Sequence, residues 1–215
     1  MRKLTTLAGL IILFAACRNS EQATLPIYGN RDTKTVTKDG KEVVDTIYQT
    51  IPDFKFVNQY GDSITQKSLN GDIYVADFFF TTCPSICPIM HRNMLKVYNE
   101  YKNVPNFKII SHSIDPKHDS VAVLKKYADG LGISGNSWWL LQGKKDDIYN
   151  LSASYLVRRP EESAKELFIH DGLFILIDKQ KRIRGSYDGT DEKEVARLIA
   201  DIKTLRAETN TEIAQ

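Results

Sequence analysis

The sequence predicts an α/β fold, a mixed sheet flanked by helices, with a hairpin extension at its N-terminal side. Three observations predict it. Short runs rich in aromatic and β-branched residues alternate with segments whose apolar residues recur at helical spacing. The run Ile73–Phe80 is almost wholly apolar and bounded by polar residues, as a strand buried in a core would be. Two later runs, Leu173–Ile177 and Ile183–Tyr187, flank a short polar turn, so the sheet closes with an antiparallel hairpin.

Met1–Cys17 stands outside this fold. Arg2 and Lys3 precede an apolar stretch, Leu7–Ala16, which is shorter than the roughly 20 residues a membrane-crossing helix needs. It fits an export signal. Ala15-Ala16-Cys17 resembles a bacterial lipoprotein signal, with Phe14 where leucine is usual. That resemblance implies lipidation at Cys17 and a chain tethered to a membrane on its periplasmic or other extracytoplasmic side. A plain cleaved signal or an uncleaved anchor are the alternatives.

Residues 18–50 read as a polar tether and a peripheral ribbon, with Asp39-Gly40 as a hairpin turn between Lys34–Lys38 and Lys41–Tyr48. The domain spans 51–206. A hairpin covers Pro52–Phe56 and Tyr60–Ile64, and the core strand follows. Met90, Met94, Val97 and Tyr101 then mark a helix to about Lys102, where Pro105 ends it. Phe107–Ile114 is a strand, and Asp119 is expected to cap a helix to Ala128. Trp138–Leu141 is a short strand, Lys144–Leu156 a helix, and Glu192–Leu205 a last amphipathic helix. Residues 207–215 are polar and expected to fray.

The chain holds 29 basic and 27 acidic residues. Without Arg2 and Lys3 the count is 27 against 27, so no basic field for nucleic acid exists. Gly130-Leu131-Gly132-Ile133-Ser134-Gly135 matches G-x-G-x-x-G. It follows a helix and precedes a strand, the reverse of a dinucleotide site, so no nucleotide is expected.

Chemistry concentrates in Thr81-Thr82-Cys83-Pro84-Ser85-Ile86-Cys87-Pro88, where the core strand hands over to a helix. Pro84 suits the first turn of that helix. A helix N-terminus favours a thiolate. The C-x-x-x-C spacing puts both sulfurs on one face, which suits a disulfide or two ligands to one soft metal. Two small buried hydrophobes is the plain alternative. Once Cys17 is set aside, one pair is too few for a disulfide scaffold. Asp115 ends the next strand, and His170 precedes a later one. If that later strand runs antiparallel, His170 falls near the thiols and could complete a Cys₂His set.

Other residues have modest expectations. Met90 and His91 lie just past Cys87 and could touch a metal held there; the plainer reading is that Met90 packs in the core and His91 faces water. His112 is a hydrogen-bonded structural residue, and His118 is exposed. Asp77 sits six residues before Cys83. It either accepts or supplies protons during thiol–disulfide exchange, or is a carboxylate at a sheet edge with ordinary hydrogen bonds.

The element order and the Asp77-Phe78 pair ahead of Cys83 resemble thioredoxin. More specifically, Thr81–Pro88, then Ser113-Ile114-Asp115-Pro116-Lys117-His118-Asp119, then Ile169-His170-Asp171-Gly172 with Ile175-Leu176-Ile177-Asp178, resemble the Sco/SenC family from about Ile51 to Leu205. The resemblance implies a thioredoxin-like fold and copper held by Cys83, Cys87 and His170. It gives Asp115 and Asp119 no assigned chemistry and makes Arg158–Phe168 a mobile loop. It further implies copper delivery to the dinuclear centre of cytochrome c oxidase subunit II, with the oxidase or its assembly factors as partners. Some members are assigned thiol–disulfide reductase roles. Two thiolates and an imidazole are a soft set that suits Cu(I), with Cu(II) left open. A Cys83–Cys87 disulfide would destroy such a site, so a thiol reductant is a further expected partner. A peroxiredoxin-like peroxidase is the remaining alternative; it would need an arginine beside the thiolate.

Overall fold

The computed structural model describes residues 24–157 and 172–213, with side chains to 208. The N-terminal ribbon is β1 (Arg31–Lys38) and β2 (Lys41–Tyr48), paired in full register across the Asp39–Gly40 turn. Both turn residues have positive φ, 51° and 74°, as a two-residue hairpin of matching twist requires. Nearly every ribbon residue is exposed, so the ribbon stands beside the core as a separate two-stranded sheet.

Among the described residues, the main sheet has seven strands. They are β3 (Lys55–Asn58), β4 (Ser63–Thr65), β5 (Ile73–Phe79), β6 (Phe107–Ser113), β7 (Trp138–Gln142), β8 (Leu173–Ile177) and β9 (Ile183–Asp188). Their order is β4-β3-β7-β6-β5-β8-β9. β5, β6 and β7 run parallel, while β8 lies antiparallel to β5 and continues into the β8–β9 hairpin. All seven residues of β5 are buried, as expected of a central strand covered on both faces.

Among the described residues, four α-helices cover the sheet. α1 (Cys87–Tyr101) and α2 (Val121–Leu131) are the crossovers between parallel strands, and they meet through His91 and Tyr127. α4 (Glu192–Ile213) packs on α1, burying Val195, Leu198, Ile202 and Leu205. α3 (Lys145–Ser154) ends at Tyr155, whose ring meets His112 and Phe78 from the other face of the sheet.

Two expectations change here. Ser120, not Asp119, caps α2, accepting a hydrogen bond from Val123 N–H, and Gly132 ends the helix in the left-handed conformation. The last helix continues to Ile213, beyond the expected end at Leu205, because no proline or glycine interrupts 206–213.

Arg184 staples the N-terminal lead to the end of the sheet. Its guanidinium, 5% exposed, donates to the carbonyls of Leu25 (2.6 Å) and Pro26 (3.1 Å) and to the carboxylates of Asp178 (3.2 Å) and Glu208 (2.6 Å). Elsewhere, Gly143 is required by packing. A Cβ there would lie 2.2 Å from Cδ1 of Phe56, which stacks on Phe54. Gly143→Ala is expected to cost about 1–3 kcal/mol in urea unfolding, the usual cost of over-packing.

Candidate functional site

The thiols lie where β5 gives way to α1. Cys83 follows the strand in a turn, its N–H bonded to the carbonyl of Phe80 at 3.2 Å. Cys87 opens α1, and Pro88 rather than Pro84 occupies the helix's first turn. Ile86, the residue before the helix, supplies no side-chain cap. Free N–H groups at that end are therefore available to a sulfur.

Both cysteines are free thiols and buried, at 6% and 3% exposure. Their environments pull them apart. Burial opposes ionisation of Cys83, but hydrogen bonds outweigh it and hold its pKa below the usual thiol value. They come from the Cys87 thiol, from the backbone N–H groups of Cys87 and Ser85, and from the Ser85 hydroxyl. Cys87 is pushed well up, first by burial and then by giving its hydrogen bond to Cys83. The nearby charges of Cys83 and Asp77 add to this. Cys83 is thus the more readily ionised sulfur, and Cys87 donates a hydrogen bond to it.

Asp77 is fully buried and lies in the central strand, paired with Ser111 of β6, not at a sheet edge. Ser111 donates to its Oδ1 in a short hydrogen bond and itself accepts from the indole N–H of Trp138 at 2.9 Å. Oδ2 meets His91 Nε2 at 3.2 Å, and His91 Nδ1 meets the Tyr127 hydroxyl at 2.9 Å. His91 therefore does not face water as expected. It is wholly buried, because the carboxylate beneath the helix needs a partner. Tyr127 and Ser111 were not legible as site residues, and His91 was legible only as a residue that could touch a bound metal, although a core-strand aspartate was a signal that a buried partner exists.

His112 also departs from expectation. It points to the opposite face from Ser111 and Ser113, into a box of Phe54, Phe56, Phe78 and Tyr155 rings at 5.1–5.8 Å. Neither ring nitrogen has a hydrogen-bond partner. Met90 is in the core, and His118 is exposed but bonds Asp115 at 2.5 Å.

Among the described residues, no three His, Cys, Asp or Glu side chains form a set that could hold a metal ion. His170, Cys17 and the segment Arg158–Phe168 lie outside the described residues. The chain re-enters at Gly172, with φ 61°. A Cβ on Gly172 would lie 3.6 Å from Cδ1 of Ile86 and 3.9 Å from Sδ of Met90, so β8 begins against the first turn of α1.

The family profile described as SCO1/SenC matches residues 45–207, three quarters of the chain. The chain belongs to the SCO1/SenC family. Among solved structures, a SCO1/SenC family lipoprotein from Bacillus anthracis is 32% identical with a TM-score of 0.63, covering 74% of this SCO1/SenC chain and 95% of its own. BsSco, described as a Sco family cytochrome c oxidase assembly protein with a disulfide switch, is 28% identical with a TM-score of 0.64. The match covers 73% of this chain and 93% of BsSco. ScoI from Bradyrhizobium japonicum, solved with copper bound, is 25% identical with a TM-score of 0.51, covering 69% and 97%. The thioredoxin-like fold of this SCO1/SenC chain agrees with theirs. No described helix is long and apolar enough to cross a membrane.

Proposed function

We propose that this protein handles copper for cytochrome oxidase assembly. It takes up one copper ion as cargo through Cys83, Cys87 and His170 and delivers it to the dinuclear copper centre of subunit II. The observation that carries the reading is the adjacent pair of free thiols at the start of α1, with the chain that follows His170 packed against the same turn. Two thiolates and one imidazole favour Cu(I), and the sulfurs release their protons as the ion binds. Family membership and the copper-bound relative support the reading. Lipidation at Cys17 would hold the domain at an extracytoplasmic membrane face, as the lipoprotein relative suggests.

Anaerobic copper binding by the reduced protein, in competition with a chelator, tests this. One tightly held ion is expected, with retention falling at least about 100-fold in Cys83→Ser and Cys87→Ser and about 10- to 100-fold in His170→Ala. Full retention in His170→Ala would remove the histidine from the site. No retention by the parent would end the delivery reading.

The unequal thiols favour a second reading, thiol–disulfide exchange by the same pair: a nucleophilic Cys83 with Cys87 held in reserve is what exchange with a dithiol partner needs. Asp77 would then take up or return a proton beneath Cys87. Asp77→Asn is expected to slow reduction of a small disulfide substrate by about ten-fold while leaving copper retention unchanged. Unaltered exchange rates would assign Asp77 to structure alone.

A further inference from the structure

The segment Ser113–Asp119 folds back on itself. The N–H groups of His118 and Asp119 both donate to the carbonyl of Asp115, at 3.1 and 3.0 Å, and Asp115 N–H donates to the Ser113 hydroxyl at 3.3 Å. This turn carries Asp119, fully buried, to the end of β5. There its carboxylate accepts hydrogen bonds from Thr81 N–H (3.2 Å), from the Thr81 hydroxyl in a short contact, and from the Ser113 hydroxyl (2.5 Å). No salt bridge reaches Asp119 among the described residues. A buried carboxylate without a cation is tolerable only where donors converge on it. Two of these donors belong to Thr81, two residues before Cys83. Ile114 N–H, bonded to the carbonyl of Phe79 at 2.9 Å, ties the ends of the two strands together beside them. The direction the chain takes on leaving β5 is thus set by Asp119.

We propose that Asp119 is a positioning residue. Through Thr81 it fixes the turn that holds Cys83 against Cys87, and so sets how readily the two sulfurs act as a pair. This rests on the reading that the pair is the working site. Without the clamp the turn samples more conformations, and the effective concentration of one thiol at the other falls.

The test uses the reduced full chain equilibrated with glutathione and glutathione disulfide. The protein dithiol gives two electrons and two protons to glutathione disulfide, a Cys83–Cys87 bond forms, and two glutathione molecules are released. The equilibrium constant reads that effective concentration with no metal present. Thr81→Val keeps the N–H bond and loses the hydroxyl; it and Asp119→Asn are each expected to lower the constant by about ten-fold. Thr81→Ser restores it to within about two-fold, and the double variant falls no further than Asp119→Asn alone, because the hydroxyl bond lost in Thr81→Val is one of those made by the Asp119 carboxylate. Thermal unfolding checks that each variant folds, and Asp129→Ala, on the exposed face of α2, serves as the unchanged control. Should Asp119→Asn not fold cooperatively, Thr81→Val against Thr81→Ser carries the test. Parent-like constants in Thr81→Val, or an equal loss in Thr81→Ser, would overturn the proposal. Copper is absent throughout, so failure of the delivery reading is measured separately.

Discussion

Acidification from pH 7 to pH 3 is expected to remove up to about 5 kcal/mol of stability through His112 alone. Burial without any partner pushes its pKa down from 6.5 to about 3. Each unit of difference between folded and unfolded values corresponds to about 1.4 kcal/mol. The sign follows from proton counts. Between pH 6.5 and 3 the unfolded chain binds a proton at His112 that the folded chain does not, so stability rises with pH in this window and is lost as pH falls. Carboxylates titrate there as well, so the quantity to measure is the difference between the parent and His112→Phe in urea unfolding at pH 7, 5.5 and 4. The parent should lose up to about 1.4 kcal/mol per pH unit more than the variant. Parallel curves would mean that His112 finds a partner in solution.

The second large effect is chemical. At neutral pH a small alkylating reagent is expected to modify Cys83 at least about 100-fold faster than Cys87, because the thiolate is the reactive species. Cys83 is the sulfur supported by N–H and O–H donors, whereas burial and neighbouring negative charge keep Cys87 protonated. Peptide mapping by mass spectrometry after short exposure resolves the two sites. Equal labelling would show that the hydrogen bond between the thiols does not set their order of reaction. The outcome bears on both proposed functions, since in either one the more reactive sulfur would meet an incoming ion or disulfide first.

Local pattern made much of this molecule legible. The apolar run of β5, the Asp39–Gly40 turn and the 3–4 spacing of α1 each report a property that neighbours in sequence decide. The cysteines could be read because their spacing and the strand-to-helix change are also local. His91 could not, because its orientation depends on Asp77, 14 residues earlier, and Tyr127, 36 residues later. On the helix alone its position looks peripheral. His112 departs from expectation for a related reason: a histidine within a strand suggests a hydrogen bond, whereas four aromatic rings enclose it, from β3 and the residue before it, from β5 and from the end of α3. Asp119 has the chemistry of a helix cap, yet its carboxylate turns to Thr81, 38 residues away, and leaves the cap to Ser120. In each case a polar group was satisfied, or left unsatisfied, by residues brought together only by the sheet.

The Arg184 staple has a consequence for how the molecule stands. Leu25 and Pro26 are fixed beside Ile183, which pairs with Ile177, itself in line with the first residues of β5. The thiols follow the last residue of that strand, about 20 Å further along. Whatever secures the N-terminus therefore grips the domain at its stern, while the cysteines sit at the bow. The described chain thus begins at the end of the sheet opposite the thiols, and its N-terminal lead leaves the reactive end uncovered.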